Sequence, residues 1–250
     1  MTTPEIPFRR NAVEPVACIK AGWELIKDQY WLFVGMCVVG ILIGQAVPLG
    51  ILLGPMMCGL YLCYFKRRRG EPIEFATMFK GFDYFGPSLI ATLLHIVPIM
   101  AIVIPAYFFF YISIFLSMAA TGAGDEPNPA AMLGVLGVFG LFWLVVVVVI
   151  IFISIGFTFA YPLIVDRKLQ GFDAVKLSFK AAMPNFFRIF LMTILTGLLS
   201  IGGILLCYVG IFLVFPITYG AVACAYEQVF GLADPNADYS NLPPPPPVFT

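Results

Sequence analysis

Residues 131–165 read AMLGVLGVFGLFWLVVVVVIIFISIGFTFAYPLIV and are followed directly by Asp166-Arg167-Lys168. This stretch has no charged residue over a length well beyond the roughly 20 helical residues that cross a bilayer core. Three other apolar stretches accompany it, at 30–65, 84–118 and 184–226. A chain of this kind spends most of its length in lipid. We therefore predict an all-α, polytopic transmembrane helical bundle.

The composition excludes a soluble domain. Of the 250 residues, 61% are hydrophobic and only 11% are charged, whereas soluble domains carry about 25% charged residues to keep their surface wet. The formal net charge is zero. We predict membrane lipids as partners and no nucleic acid.

The cysteines do not form a metal-binding pattern. None of them makes a C-x-x-C pair and five lie inside apolar segments, so we interpret them as small packing residues. Structural metal sites need closely spaced ligands with polar neighbours, and we predict no metal and no cofactor. The six cysteines are Cys18, Cys37, Cys58, Cys63, Cys207 and Cys224.

The first and last apolar stretches are each long enough for two crossings. The segment from Gln45 to Gly50, which contains Pro48, interrupts the first stretch, and Ile201-Gly202-Gly203 interrupts the last, because proline and glycine are the strongest local helix breakers. Each middle stretch gives one tilted or extended helix, and Pro98 and Pro105 are predicted kink points in the first of these two helices. We predict about six passes.

The basic residues indicate how the chain is threaded. Because loops rich in Lys and Arg are retained in the cytoplasm, we predict a multi-pass protein of the bacterial inner (cytoplasmic) membrane with both termini in the cytoplasm. Asp125 and Glu126 lie in the predicted outer loop from Gly122 to Ala130. All 14 basic residues fall into three groups: Arg9, Arg10, Lys20 and Lys27; Lys66, Arg67, Arg68, Arg69 and Lys80; and Arg167, Lys168, Lys176, Lys180 and Arg188.

Three short segments that precede pairs of passes have the periodicity of amphipathic helices. We predict that these three cytoplasmic interfacial helices lie in the plane of the interface; the alternative is a cap packed on the ends of the bundle. Their apolar stripes are Val16, Ile19, Trp23, Ile26 and Tyr30; Phe75, Met78, Phe79 and Phe82; and Phe172, Val175, Phe179 and Met183.

The three segments also resemble one another. Ile19-Lys20-Ala21, Phe79-Lys80-Gly81 and Phe179-Lys180-Ala181 occupy the same point in each. Gly70 corresponds to Gly231, and in the middle unit we match it to Gly171. We therefore predict internal repeats at 12–70, 71–171 and 172–231, each an interfacial helix with two passes. Three further positions recur at the same offset between the first and last units: Pro55 with Pro216, Gly59 with Gly220, and Cys63 with Cys224.

Together these units form one predicted transmembrane domain, 1–231. Residues 232–250 are predicted to be a disordered, Pro-rich cytoplasmic tail that includes Pro243 to Pro247. A proline run forms a stiff polyproline II rod that can dock into a groove of a protein partner, or can serve as a spacer. A protein partner could also bind the interfacial helices. The sequence leaves the oligomeric state open.

No catalytic pattern occurs in the chain, and we predict that it is not an enzyme. It has no Ser/His/Asp or Cys/His arrangement and no phosphate-binding loop, and the single histidine, His95, has no carboxylate partner at its depth. Asp166 and Glu227 end helices beside basic groups, which predicts interfacial salt bridges.

The candidate site is a set of cations for lipid headgroups. Each cation near an anionic membrane surface contributes about 1 kcal/mol to binding. We assign this role to nine residues of the second and third basic groups: Lys66, Arg67, Arg68, Arg69, Arg167, Lys168, Lys176, Lys180 and Arg188.

Some of these features carry a family resemblance. They are the basic amphipathic helix from Phe172 to Met183, the helix with Pro216 and Gly220, and the closing run Tyr226-Glu227-Gln228-Val229-Phe230-Gly231. With them, the chain resembles a set of uncharacterised bacterial six-pass membrane proteins, similar to the membrane domain that precedes some glycerophosphodiester phosphodiesterases. The resemblance implies the topology; it implies no phosphodiesterase activity, because the chain lacks that enzyme domain.

Two functions remain open from the sequence. The first is a non-enzymatic integral membrane protein that organises lipid or scaffolds a complex through its three basic interfacial helices. The second is a transporter or channel for an apolar or lipid-like substrate, favoured by the repeats and by the helices that Gly and Pro interrupt.

Overall fold

A computed structural model of the chain describes residues 6–120, 129–205 and 210–233. Within these ranges the chain is helical and has no strand, and the predicted all-α polytopic bundle is confirmed. Asp125, Glu126, Cys207 and the tail from residue 234 lie outside the described residues. The α-helices are α1 (Pro15–Ile26), α2 (Tyr30–Gln45), α3 (Leu53–Arg68), α4 (Phe85–Ala120), α5 (Pro129–Phe157), α6 (Ala160–Arg167), α7 (Gly171–Ala182), α8 (Phe186–Leu205) and α9 (Gly210–Phe230).

Four 3₁₀ segments link these helices. The longest, Phe75–Tyr84, is the second of the amphipathic segments and is called the 75–84 helix below. The other three are Lys27–Gln29, Pro48–Gly50 and Met183–Asn185.

Within the described ranges, five segments are long and apolar enough to cross a membrane. They are Pro15–Gln45, Phe75–Leu116, Phe139–Arg167, Gly171–Gly203 and Gly210–Phe230. The remaining helix of the predicted set, α3, has 16 residues and is about 24 Å long at 1.5 Å per residue, against a bilayer core of about 30 Å. Burial compensates for this short length, since most side chains of α3 lie inside the protein.

The predicted helix breaks agree with the structure at one end of the chain and differ at the other. The chain turns between Gln45 and Leu53 as predicted, through a 3₁₀ turn at Pro48–Gly50. The last stretch also divides into two helices, but α8 continues through Ile201-Gly202-Gly203 to Leu205 and α9 begins at Gly210, so the helices separate after the predicted position. Gly203 instead allows close contact, since a Cβ there would lie 2.7 Å from the Gly210 carbonyl carbon.

The stretch at 131–165 contains an unpredicted interruption between α5 and α6. Pro162 has no N–H for the carbonyl of Thr158, and the chain forms a turn at Thr158 and Phe159. Ser178 of α7 stabilises this turn: its Oγ accepts a hydrogen bond from the Phe159 N–H at 3.1 Å and donates one to the Gly156 carbonyl at 2.6 Å.

The contacts divide the chain into two compact units, 1–94 with 155–250, and 95–154. In the second unit, α4 and α5 pair in antiparallel fashion through aromatic rings. Phe110 stacks on Phe139 at 4.3 Å, and Tyr107 meets Trp143 edge-on at 5.5 Å. α4 continues as a helix through Pro98 and Pro105.

In the first unit, each amphipathic segment packs on a different part of the bundle through small residues. A Cβ on Gly22 of α1 would lie 2.7 Å from the Ala221 nitrogen of α9. Gly81 of the 75–84 helix contacts Gly59 and Pro55 of α3 in the same way. α7 packs at the junction of α5 and α6. Each amphipathic segment therefore has one face fixed against the bundle.

The three helices α3, α6 and α9 end alike. Each has a residue in the left-handed region one or two positions after its last residue: Gly70 (φ 73°), Lys168 (φ 52°) and Gly231 (φ 68°). Such residues commonly end helices, and glycine is preferred because it has no Cβ. The sequence match of Gly171 with Gly70 therefore differs from the structure, where Gly171 begins α7 and Lys168 holds the left-handed position.

Candidate functional site

The ends of α3, α6 and α9 meet around a buried carboxylate, that of Asp166. Its side chain has no exposed surface, and Arg69 Nη2 donates to its Oδ1 at 3.0 Å. The Tyr226 hydroxyl donates to its Oδ2 at 2.8 Å, and the Ala233 N–H donates to both oxygens at 3.2 and 3.0 Å. A buried charge is tolerated only when it is paired and hydrogen-bonded, and Asp166 has both kinds of partner.

Two arginines extend this network to the end of α9. Arg69 Nη2 also donates to the Ala233 carbonyl at 2.9 Å. Arg167 Nη2 donates to the carbonyls of Phe230 and Gly231 at 3.1 and 3.2 Å, and its Nε lies 3.4 Å from Asp166 Oδ2. The last carbonyls of a helix lack partners within the helix and carry partial negative charge, so a guanidinium is a suitable partner there.

Further ion pairs surround the buried one. Arg68 Nε lies 2.6 Å from the Glu227 carboxylate, and Lys66 Nζ lies 3.0 Å from that of Glu71. The predicted salt bridges of Asp166 and Glu227 are confirmed, although the Asp166 pair is buried rather than interfacial. The sequence could not show this burial, because it depends on residues 60 or more positions away.

The nine predicted headgroup residues lie together at this end of the first unit, which is called the basic end below. Five of them form ion pairs within the protein: Lys66, Arg67, Arg68, Arg69 and Arg167. Arg188 donates to the Val13 carbonyl at 3.1 Å. Lys168, Lys176 and Lys180 are exposed around α7. Headgroup binding remains a prediction for all nine, and these three lysines are the best placed for it.

The amphipathic helix α1 has two distinct faces. Cys18, Gly22 and Ile26 are buried against the bundle, whereas Val16 and Trp23 are 56% and 42% exposed. Of the predicted stripe, Ile26 therefore points inward, while Val16 and Trp23 face outward beside the exposed Lys20.

The other two segments repeat this arrangement. In the 75–84 helix, Met78 and Gly81 are buried, and Phe75, Phe79 and Phe82 remain exposed beside Lys80. In α7, Val175 and Ser178 are buried and Phe172 is exposed beside Lys176. In each segment a face of mainly small residues packs on the bundle, and large apolar side chains next to lysines face outward. The packed setting is thus observed, and the position in the membrane interface stays a prediction.

An open groove lies where α1 meets α2. Its volume is about 520 Å³. The rings of Trp23 and Tyr30 meet edge-on at 5.4 Å, and those of Tyr30 and Trp31 at 5.5 Å. The Tyr30 hydroxyl donates to the Leu213 carbonyl of α9 at 2.8 Å, which anchors this aromatic group. The groove was not predicted from the sequence. The clustering of Trp23, Tyr30 and Trp31 around Lys27 was the only sequence signal for it.

Among the described residues there is no cluster of three or more His, Cys, Asp or Glu side chains that could hold a metal ion. The five described cysteines are free thiols. The Cys18 thiol donates to Gln228 Oε1 at 3.2 Å and lies against the Cys224 thiol.

The basic end offers binding surface on its outer side. Its outward components are exposed aromatic side chains, exposed lysines and an open groove. No protein-family model, curated protein or solved structure matches the chain, so the resemblance to the six-pass family remains a prediction. What the structure establishes is a polytopic, all-α membrane protein.

Proposed function

We propose that the protein is non-enzymatic and organises membrane lipid by binding anionic headgroups at its basic end. One observation carries this proposal. In α1, the 75–84 helix and α7, one face packs on the bundle, and exposed aromatic residues lie beside lysines on the outer face. A helix that only capped the bundle would need no outward aromatic residues. Exposed aromatics beside lysines suit the interface, where apolar side chains enter the acyl region and cations reach the headgroups.

The same observations support the finer parts of the proposal. All Lys and Arg residues belong to segments at the basic end, which favours a cytoplasmic location for that end and for both termini in a bacterial inner membrane. The similar ends of α3, α6 and α9, and the similar packing of the three amphipathic segments, support the repeats at 12–70, 71–171 and 172–231.

A second function has one observation in its favour. The turn at Thr158 and Phe159 interrupts a membrane-spanning segment, Phe139–Arg167, and transporters commonly build substrate sites from interrupted helices. The occupant would be a lipid-like substrate. Movement of labelled lipid between the leaflets of vesicles that contain the protein would favour this carrier function over a static organiser.

The lipid shell of the purified protein tests the main proposal. The protein is extracted with its lipid in polymer nanodiscs, and the anionic lipid fraction is compared with that of the whole membrane by mass spectrometry. We expect enrichment in wild type. Because two lysines near the surface contribute about 2 kcal/mol, Lys176→Gln with Lys180→Gln is expected to weaken anionic-lipid binding roughly 30-fold.

The matched control is Arg9→Gln with Arg10→Gln, which removes the same charge from exposed residues of the N-terminal segment. We expect it to retain most of the enrichment. An unchanged lipid shell in the Lys176/Lys180 variant, or an equal loss in the control, would contradict headgroup binding at α7.

A further inference from the structure

The groove between α1 and α2 has the size and setting of a headgroup site. Its volume of about 520 Å³ lies within the range of small-molecule pockets, about 300–1,000 Å³. The residues that line it include Trp23, Lys27, Asp28, Gln29, Tyr30 and Trp31.

The groove lies where a polar turn joins an amphipathic helix to an apolar one. Lys27-Asp28-Gln29 is a polar 3₁₀ turn between the amphipathic α1 and the uncharged α2. Trp31 is 74% exposed and Trp23 is 42% exposed. Exposed tryptophans next to a polar turn are typical of the headgroup layer, so the groove opens where a lipid headgroup would lie.

The charges around the groove are balanced. Lys27 pairs with Glu24, and Arg67 Nη2 lies 3.0 Å from Asp28 Oδ2. The Glu24 and Asp28 side chains remain 59% and 65% exposed, and an ionised carboxylate accepts about four hydrogen bonds. A zwitterionic headgroup finds a partner for each of its charges here, with its phosphate on Lys27 and its cation on Asp28. An anionic headgroup finds no excess of positive charge.

One buried hydrogen-bond acceptor indicates which type of headgroup cation the groove would bind. Gln29 Oε1 is buried, and no described residue donates a hydrogen bond to it. An unsatisfied buried acceptor is costly, and rotation of the amide toward the groove would provide it with a donor from a ligand. A primary ammonium has N–H groups to donate, whereas a quaternary ammonium has none.

We propose that this groove binds the headgroup of a zwitterionic phospholipid with a primary ammonium, of the phosphatidylethanolamine type. The phosphate binds Lys27, the ammonium binds Asp28 and Gln29, and Trp23 and Trp31 contact the glycerol region. The proposal rests on the proposed function and adds a second class of lipid to it, since the lysines around α7 select by negative charge.

Tryptophan fluorescence provides a direct test, because the chain has three Trp residues and two of them line the groove. Full-length Trp143→Phe protein, in which only Trp23 and Trp31 remain, is placed in nanodiscs with increasing fractions of lipid brominated in its acyl chains. The brominated lipid carries an ethanolamine, choline or glycerol headgroup. We expect half-maximal quenching at about a tenfold lower fraction for ethanolamine than for either of the others, since only ethanolamine offers charge-assisted N–H donors without a net charge.

Two further variants in the Trp143→Phe background complete the test. Asp28→Asn with Gln29→Leu removes the proposed ammonium acceptors, and the ethanolamine preference is expected to disappear. Lys176→Gln with Lys180→Gln is expected to retain that preference while anionic-lipid enrichment falls, so the groove and the proposed function are tested separately. Equal quenching by the three lipids, or an ethanolamine preference that survives Asp28→Asn with Gln29→Leu, would overturn the proposal.

Discussion

At the scale of single residues, the buried Asp166 holds several parts of the first unit together. Its carboxylate joins the end of α3 through Arg69, the end of α9 through Tyr226, and the chain beyond α9 through the Ala233 N–H. Removing one partner of a buried ion pair is costly because the other charge stays buried without compensation. This pair is therefore a sensitive probe of how the three helix ends meet.

We predict that Asp166→Asn destabilises the protein by about 3–5 kcal/mol. The Arg69 guanidinium would lose its anionic partner while it stays largely buried. Denaturant unfolding in mild detergent measures the change. Asp83→Asn at an exposed position is the control, with little expected effect, and replacing Arg69 by Met together with Asp166→Asn should recover part of the loss. Wild-type stability in Asp166→Asn would show that the pair does not form.

The sequence predicted the ion pairing of Asp166 but not its surroundings. A carboxylate that follows an apolar helix and precedes Arg167 and Lys168 indicates a salt bridge at a helix end. Its bonds to Tyr226 and Ala233 depend on how distant helices pack, which the local pattern does not encode. The same holds for Gln29, whose amide oxygen is buried although the residue lies in a polar turn.

At the scale of elements, the amphipathic helices show why a hydrophobic stripe can point away from the protein. Periodicity is dominated by large apolar side chains such as Trp23 and Phe172, which are exposed. The packed faces consist mainly of small residues such as Gly22, Ser178 and Gly81, which contribute little to the pattern. The sequence thus predicted the existence of these helices but not which face the bundle would cover.

The packed faces of small residues lead to a stability prediction that compares two glycines, Gly22 and Gly197. Alanine normally stabilises a helix interior by about 1 kcal/mol relative to glycine, and nothing lies within 4 Å of a Cβ on Gly197. We expect Gly197→Ala to be neutral or stabilising. Gly22→Ala should destabilise, since its Cβ would lie 2.7 Å from backbone of α9. Thermal unfolding in detergent compares them, and a similar response at both positions would contradict the close packing of α1 on α9.

The pairing of α1 with α9 also has a covalent test. The thiols of Cys18 and Cys224 lie against each other, and Gln228 accepts hydrogen bonds from both the Glu14 N–H and the Cys18 thiol. Copper–phenanthroline with oxygen should take two electrons from the thiols, with release of two protons, and form a disulfide.

Cleavage at a protease site inserted at Gly124 reveals this crosslink. We expect the two halves of the oxidised protein to migrate together on a non-reducing gel and to separate after reduction. The Cys18→Ala variant should separate without reduction. Separation of the oxidised wild-type halves would place Cys18 and Cys224 apart.

At the scale of the whole chain, the sequence predicted the class of fold and most of its helices. Long uncharged stretches can satisfy their backbone only as helices in lipid, which is why the class was predictable. The predicted helix breaks were less accurate, because glycine and proline can either end a helix or lie inside one. Gly202 and Gly203 lie inside α8 instead of ending it, and Pro162 accompanies a turn in a stretch predicted as continuous.

The proposed headgroup binding requires the basic end to lie in the cytoplasm, where the inner leaflet is anionic. The most direct test of this location labels intact cells from outside with a membrane-impermeant amine reagent, in a Gly124→Cys protein that also reports to an impermeant maleimide. All lysines belong to the basic segments, and loops rich in Lys and Arg stay inside. We therefore predict maleimide labelling at position 124 in intact cells. We predict no amine labelling at Lys168, Lys176 or Lys180 until the cells are permeabilised. Amine labelling of these lysines in intact cells would contradict the account.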